Sequence, residues 1–223
     1  MKLILDTADT AAIRKLCEYL PVDGVTTNPS ILARSGREPY EVLKEIRSII
    51  GEKDLHVQVI SRTAEGMIEE AETIVSELGK NTFIKIPVTL EGVKAIRLLT
   101  ERGFLCTGTA VYTVEQAYLA AHAGAKWLAP YVNRIENICK DGVGTVRKMQ
   151  EMLRNNGYET KIVGASFHRA DQITGLAECG VAAATVGADL LMHLLDNEHV
   201  EGAVDKFTAD FEGLYGKGRT MAL

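Results

Sequence analysis

The sequence alternates short apolar segments with amphipathic segments along nearly its whole length, and no other feature limits the possible folds as strongly. The apolar segments are rich in aliphatic and β-branched residues, which predicts strands. The segments between them carry apolar residues at spacings of three and four, which predicts helices that pack through one face. Regular alternation of strand and helix implies a parallel sheet, because each helix returns the chain to the edge where the preceding strand began.

Eight strands are predicted in this way, at Leu3–Asp6, Gly24–Thr27, His56–Ile60, Phe83–Val88, Phe104–Val111, Trp127–Val132, Lys161–Phe167 and Ala182–Gly187. Eight β–α units predict an α/β protein built as a single (β/α)8 TIM barrel. The alternative is a doubly wound open sheet. It is less favoured because no Gly-x-Gly-x-x-Gly motif follows the first predicted strand.

The whole chain, residues 1–223, is predicted to form one domain, because no linker, charge block or low-complexity segment divides it. Within that domain, residues 198–223 are predicted to add a C-terminal helix and a flexible tail to the barrel. The helix, Glu198–Tyr215, has one apolar face, formed by Val200, Val204, Phe207, Phe211 and Leu214. An apolar face of this size needs to be buried against something.

Charge and cysteine usage argue against several classes of function. The chain has 25 basic and 30 acidic residues, a net charge of −5, so we expect no general attraction to nucleic acid or to anionic membranes. We also expect neither a signal peptide nor a membrane span, because the apolar segments are short. The four cysteines are scattered and the histidines lack ligand spacing, which predicts reduced thiols, a cytoplasmic protein and no metal site or cofactor.

The fourth predicted strand carries a lysine in the middle of an apolar stretch. In "NTFIKIPVT" (Asn81–Thr89), Ile84, Ile86 and Val88 share one parity and Lys85 has the other. The aliphatic set suits the face that packs on helices, because successive strand residues point to opposite faces. Lys85 is therefore predicted to point into the barrel, although lysine is rarely buried.

The same alternation predicts inward polar side chains near the carboxyl ends of six further strands, namely Asp6, Thr26, Gln58, Thr109, Tyr131 and Ser166. In the seventh strand it groups Ser166 with Ile162 and Gly164. Each polar residue taken alone is more often a solvated position on the rim. Their shared parity favours an active site, because barrel enzymes place their sites at the carboxyl ends of the strands.

Two interpretations of the buried lysine are open. Lys85 could be a structural lysine paired with Asp6, because interiors also hold ion pairs. Alternatively, desolvation lowers its pKa and makes the neutral amine available to attack a ketone and form an imine. Imine chemistry needs a nearby acid or base, and Asp6 and Tyr131 are the candidates. A serine nucleophile at Ser166 is less favoured, because no Gly-x-Ser-x-Gly motif is present.

Six motifs together carry a family resemblance: "LDT" at Leu5–Thr7, "GVTTNPS" at Gly24–Ser30, "IKIPVT" at Ile84–Thr89, "GTAVY" at Gly108–Tyr112, "APYVNRI" at Ala129–Ile135 and "GASF" at Gly164–Phe167. With these motifs the chain resembles the small transaldolase family, and within it the fructose-6-phosphate aldolase branch. The resemblance implies a (β/α)8 barrel and a Schiff-base lysine at Lys85, and the family's strand-one aspartate falls on Asp6.

The resemblance also implies a set of substrate contacts. Thr26 and Asn28 would position the hydroxyls of a dihydroxyacetone unit, and Arg134 would bind phosphate beside Ser166. Ala129 and His168 complete the expected substrate-binding residues. His168 stands where relatives commonly have lysine or arginine, and Arg169 follows it, so which of the two contacts phosphate is open. Gly187 stands where relatives often have proline.

Three positions separate the two branches of the family that the chain resembles. Transaldolases carry Glu, Asn and Phe where this chain has Gln58, Thr109 and Tyr131, and the aldolase branch carries the residues found here. The expected function is therefore cleavage of fructose 6-phosphate to dihydroxyacetone and glyceraldehyde 3-phosphate, and the reverse addition. The alternatives are a transaldolase of the pentose phosphate pathway and a non-catalytic sugar-phosphate sensor. The resemblance also implies a homo-oligomer, a ring-shaped decamer, clasped through the C-terminal helix.

Overall fold

A computed structural model of the chain describes residues 1–139 and 141–222. Eight parallel strands form a closed barrel in which each strand pairs with the next and the eighth pairs with the first. They are β1 (Lys2–Asp6), β2 (Gly24–Thr26), β3 (Asp54–Gln58), β4 (Thr82–Pro87), β5 (Leu105–Val111), β6 (Trp127–Pro130), β7 (Lys161–Gly164) and β8 (Ala183–Val186). The predicted (β/α)8 fold is confirmed, and each predicted strand overlaps one of these. Leu223, in the predicted tail, and the side chain of Cys139 lie outside the described residues.

Eleven helices occur in the part of the chain that the structure describes. They are α1 (Thr10–Tyr19), α2 (Pro29–Arg34), α3 (Pro39–Ile50), α4 (Ala64–Leu78), α5 (Leu90–Glu101), α6 (Val114–His122), α7 (Val132–Cys139), α8 (Gly142–Asn155), α9 (Ala170–Glu178), α10 (Ala188–His193) and α11 (Glu198–Tyr215). Three of them, α4, α5 and α6, are preceded by an N-cap threonine whose hydroxyl accepts a hydrogen bond from a first-turn amide. These caps satisfy amides that have no partner inside the helix, so each helix can start soon after the preceding strand ends.

The barrel interior is filled by side chains. The buried cluster there consists of Ile4, Trp127, Ala129, Val163, Ala165 and Ala183. The imidazole of His56 stacks on the ring of Phe83 with centroids 4.6 Å apart, and both rings lie edge-on to Trp127. The Nδ1 atom of His56 lies 3.0 Å from the Thr107 hydroxyl, and burial holds the pKa of this imidazole well below its ordinary value. The interior is thus a packed core, and barrel enzymes build their sites at the carboxyl ends of the strands.

The outer face of the strands is apolar, as the alternation in β4 and β5 predicts. Ile84 and Ile86 are fully buried. A Cβ atom at Gly108 would lie 3.1 Å from the Cβ of Ala120 in α6, so this residue faces the helix layer closely. Thr107 and Thr109, of the opposite parity, are buried, and the Thr107 hydroxyl meets His56 in the interior. Lys85 shares this inward parity.

The inward direction predicted for one set of residues in the seventh strand is wrong within the strand itself. Val163 and Ala165 belong to the interior cluster, whereas a Cβ atom at Gly164 would lie 2.1 Å from the Leu176 side chain on α9. Gly164 therefore faces outward, and Ser166 would follow it if the strand continued. The strand ends at Gly164, and Ser166 adopts a left-handed conformation with φ of 61°. The change of backbone conformation, and not strand parity, determines where Ser166 points.

The chain divides into two compact units, residues 1–190 and 191–223, so the predicted single domain stays a prediction. The second unit contains α11, which has the bounds predicted for it and no buried side chain. Along its apolar face, Val200, Phe207 and Leu214 are 56%, 68% and 75% exposed. Within the described ranges, no helix is long and apolar enough to cross a bilayer.

Candidate active site

A cavity of about 1290 Å³ opens at the carboxyl ends of the barrel strands. Its walls come from strand ends and from the loops that follow them, which is where barrel enzymes build their sites. Eight of the predicted site residues line this cavity, namely Asp6, Asn28, Gln58, Lys85, Tyr131, Arg134, Ser166 and His168. The structure thus brings together residues that lie far apart in the sequence, from Asp6 to His168.

Lys85 lies in the wall of the cavity with only 3% of its surface exposed. Its Nζ donates a hydrogen bond of 2.8 Å to the backbone carbonyl of Thr27. Desolvation lowers the pKa of this amine, and the nearby Asp6 carboxylate opposes the shift without reversing it. Asp6 accepts its hydrogen bond from Thr26. These contacts favour the reactive-amine interpretation over a structural ion pair.

Asp6 ends a chain of three hydrogen-bonded side chains. The Thr26 hydroxyl donates to Asp6 Oδ1 over 2.7 Å, and the hydroxyl oxygens of Thr26 and Thr185 are 2.6 Å apart. Both threonines are buried, and Thr185 also lines the cavity. The sequence analysis missed Thr185, because it lies in an apolar run and its proximity to Asp6 arises only when β8 pairs with β1.

A second set of polar side chains lies around the phenol of Tyr131. Its oxygen is 3.2 Å from the Thr109 hydroxyl, and its ring meets that of Tyr112 edge-on. Burial raises the pKa of Tyr131, so the phenol keeps its proton over a wide pH range. Gln58 is the residue paired with Lys85 across β3 and β4. Its buried Oε1 accepts no hydrogen bond from the described residues, so it is an acceptor open to a bound group.

The basic end of the cavity is organised by the start of α7. The amide of Asn133 donates to the carbonyl of Ser166 over 3.0 Å, which joins the first turn of α7 to the loop after β7. The Arg134 guanidinium lies 4.7 Å from the centre of the Tyr131 ring, within the range of a cation–π contact. Arg134 and Ser166 are thereby placed on the same side of the cavity.

The neighbouring residues His168 and Arg169 have different environments. His168 lines the cavity. Arg169 does not, because its guanidinium pairs with Asp171 at 2.9 Å and with Glu136 at 3.2 Å. Ion pairs with two carboxylates therefore hold the Arg169 guanidinium outside the cavity lining.

Three predicted site residues lie outside the cavity lining. Thr26 and Thr109 are buried directly behind it and contact lining residues, Asp6 and Tyr131 respectively. Ala129 belongs to the interior cluster of the barrel, where it packs and offers no polar side-chain atom. Lining residues that the sequence analysis missed include Arg34, Arg37, Ala110 and Thr185. Ala110 faces the cavity because β5 is irregular between Thr109 and Val111, which no local pattern predicts.

Among the side chains that the structure describes, no group of three or more His, Cys, Asp or Glu could hold a metal ion. The arrangement instead offers a desolvated amine, a carboxylate, a protonated phenol and a guanidinium around one cavity. This set can form an imine, move protons and bind an anion.

Comparison with known families agrees with this chemistry. The chain matches the family described as transaldolase/fructose-6-phosphate aldolase over residues 3–218. This match covers nearly the whole sequence and both ends of the barrel. The chain belongs to the transaldolase/fructose-6-phosphate aldolase family.

Proposed function

We propose that this protein is a class I aldolase that cleaves fructose 6-phosphate to dihydroxyacetone and glyceraldehyde 3-phosphate and catalyses the reverse addition. The observation that carries the proposal is the buried Lys85 amine, whose pKa is lowered by desolvation in a cavity that also holds Asp6 and Tyr131. A purely binding protein has no need of a desolvated amine, which argues against the sensor alternative.

The first steps build an imine on Lys85. The lone pair of neutral Nζ attacks the ketone carbon of the open-chain sugar, and the resulting carbinolamine loses water to give the imine. A proton must be delivered to the departing hydroxyl, and Asp6 is the acid/base group assigned to it. The carbonyl of Thr27 orients the amine for this attack, because it accepts an N–H and leaves the lone pair of the neutral amine free.

Carbon–carbon cleavage then uses the imine as an electron sink. Asp6, left as a carboxylate after protonating the departing hydroxyl, accepts the proton of the C4 hydroxyl. The C3–C4 bond then breaks, which releases glyceraldehyde 3-phosphate and leaves an enamine on Lys85. Protonation of the enamine carbon and hydrolysis of the imine release dihydroxyacetone. We assign the proton relay to Tyr131 together with a water held by Gln58 and Thr109. The contact between Thr109 and Tyr131 and the open acceptor on Gln58 support this assignment.

Substrate contacts follow from the two ends of the cavity. Arg134 is assigned to the phosphate, with Ser166 and His168 also lining the cavity. At the other end, the Asn28 side-chain oxygen caps α2 by accepting from the Ile31 amide, so its amide group remains a donor. Asn28 is assigned to the hydroxyls of the dihydroxyacetone unit, and Thr26, which lies buried behind the cavity wall, is assigned to the same end of the site through its hydrogen bond to Asp6.

The second candidate function is a transaldolase, which passes the three-carbon unit to another sugar phosphate such as erythrose 4-phosphate. Both reactions share every step up to the enamine. The presence of Gln58, Thr109 and the protonated phenol of Tyr131 favours the aldolase, because a proton donor next to the enamine promotes release of dihydroxyacetone.

We further propose that the protein works as a homo-oligomer, and as a decamer by its family resemblance. The support is the apolar face of α11, on which Val200, Phe207 and Leu214 are all exposed. An exposed apolar face on an 18-residue helix is expected to be covered by another surface.

The test is consumption of fructose 6-phosphate by the purified protein, with and without an added aldehyde acceptor. The aldolase proposal predicts steady consumption without an acceptor and release of free dihydroxyacetone. Lys85→Met is the control and should abolish consumption under both conditions. Consumption that requires the acceptor would replace the aldolase with the transaldolase, and full activity of Lys85→Met would reject both.

A further inference from the structure

Thr185 is a buried polar residue of β8 to which the proposed mechanism gives no role. Its side chain is 2% exposed and borders the cavity. Its hydroxyl oxygen lies 2.6 Å from that of Thr26, and Thr26 lies 2.7 Å from Asp6. Since β1 pairs with β2 on one side and with β8 on the other, the two threonines approach Asp6 from opposite neighbouring strands.

The direction of these hydrogen bonds follows from counting hydrogens. A threonine hydroxyl has one hydrogen to donate and two lone pairs that accept. An ionised carboxylate only accepts, so the hydrogen of Thr26 is committed to Asp6. The hydrogen between the two hydroxyls must then come from Thr185. The hydrogen bonds are therefore donated from Thr185 to Thr26 and from Thr26 to Asp6, and donors linked in this way polarise one another.

We propose that Thr185 is a positioning residue for the acid/base group of this site, acting on Asp6 through Thr26. By donating to Thr26, it keeps the Thr26 hydroxyl pointed at Asp6 and so holds the carboxylate in a single orientation toward Lys85. The inference rests on the proposed function, in which Asp6 moves a proton during imine formation. Thr185 itself touches no reacting atom in this role.

The row of hydrogen bonds from Thr185 to Asp6 also suits a group that gains and loses a proton. When Asp6 is protonated it becomes a donor, and both hydroxyls can rotate so that the sequence of donors reverses. Thr185, at the far end, then directs its hydrogen toward the cavity that it borders. A hydrophobic residue at this position could not make that exchange. The two threonines can thus form hydrogen bonds with Asp6 in both of its protonation states.

A purely structural role would tie β8 to β2 through the same contact, and two variants separate the roles. Thr185→Val preserves shape and removes the hydroxyl, whereas Thr185→Ser retains it. Thr107→Val is a matched control, because it removes a buried interior hydroxyl that contacts His56 and does not line the cavity. We expect both valine variants to lower the melting temperature, and Thr185→Val alone to lower kcat by up to about 10-fold, the upper end of the scale for one hydrogen bond between neutral groups.

The loss of activity in Thr185→Val is expected to fall mainly on kcat. KM for fructose 6-phosphate should change less than kcat in Thr185→Val, and Thr185→Ser should restore kcat to within about 2-fold of the unmodified protein. In an Asp6→Asn background, Thr185→Val should cost little further, because interacting residues show non-additive effects. Turnover and the rate of borohydride trapping at Lys85 are both measured, so that a slow Asp6→Asn variant still gives a readout.

Two outcomes overturn the inference. One is an unchanged kcat in Thr185→Val, and the other is a loss of the same size in both the native and Asp6→Asn backgrounds, which would indicate a structural role alone. Failure of the proposed function is a different result: the unmodified protein would then form no borohydride-trapped adduct on Lys85.

Discussion

The amine nitrogen of Lys85 lies 2.8 Å from the carbonyl oxygen of Thr27 and donates a hydrogen bond to it. A carbonyl acceptor orients the amine without supplying the full negative charge that would keep it protonated. Burial therefore prevails and lowers the pKa of Lys85. The same hydrogen bond is available to the neutral amine, which explains how a reactive lysine can remain buried in either protonation state.

Covalent trapping should identify Lys85 as the residue that forms the imine. Incubation with dihydroxyacetone or fructose 6-phosphate, followed by borohydride, is expected to reduce an imine to a stable amine on the peptide that contains Lys85. Mass spectrometry of the digested protein locates the adduct. An adduct on any other lysine, or none on active protein, would reject the mechanism. A metal chelator should leave turnover unchanged.

Removing the buried amine should stabilise the fold while it abolishes activity. Because the pKa of Lys85 is lower in the folded state than its ordinary value, the unfolded chain binds more protons in the interval between the two values. The cost of burying the amine is therefore fully present below the folded pKa and is relieved as the pH rises through that interval.

Lys85→Met, which has similar volume and no charge, is accordingly expected to raise the free energy of unfolding by about 1–2 kcal/mol at neutral pH. Urea denaturation at several pH values tests this, and the gain should shrink as the pH approaches the ordinary lysine pKa. A gain that stayed constant with pH would show that packing, and not the ionisation of Lys85, is responsible.

Arg134 should matter for phosphorylated substrates and little for others. Arg134→Ala is expected to raise KM for fructose 6-phosphate by about 10-fold or more, because a charge-assisted hydrogen bond to phosphate is lost. Addition of dihydroxyacetone to unphosphorylated aldehydes should change far less. Steady-state kinetics with both kinds of aldehyde measure the difference.

Arg169→Ala is the matched control for that experiment. Its guanidinium pairs with Glu136 and Asp171 and does not line the cavity, so KM should stay nearly unchanged. Equal losses on both classes of aldehyde in Arg134→Ala would instead indicate that Arg134 supports the Tyr131 ring through their stacking contact.

Tyr131→Phe should separate cleavage from transfer. Loss of the phenolic proton is expected to lower free cleavage of fructose 6-phosphate by about 10²-fold, the usual effect of removing one acid/base group. Transfer to erythrose 4-phosphate should fall much less, because the enamine then waits for the incoming aldehyde. Adding Gln58→Glu should raise the ratio of transfer to cleavage further. If Tyr131→Phe slows both reactions equally, or the unmodified protein already transfers faster than it cleaves, the transaldolase is the better proposal.

Local sequence periodicity predicted the elements of the fold and part of the site. Side chains alternate along a strand and recur every three to four residues on a helix, so the succession of strands and helices along the sequence, the inward direction of Lys85 and the bounds Glu198–Tyr215 could all be predicted from neighbouring residues. The same alternation assigned the wrong face to Gly164. Ser166 lines the cavity, as predicted, but for another reason: the strand ends two residues earlier and Ser166 adopts a left-handed conformation.

What the sequence by itself determined is which residues form strands and which faces of those strands are polar. Tertiary structure decided which polar residues meet. Closure of the barrel pairs β8 with β1 and so places Thr185 within reach of Thr26 beside Asp6, although these residues lie near opposite ends of the chain. It also decided that His168 lines the cavity while Arg169 is held by Glu136, since ion pairing between distant elements depends on how they pack. Such contacts have no signal in local spacing, because they arise only from the path that the whole chain takes around the barrel.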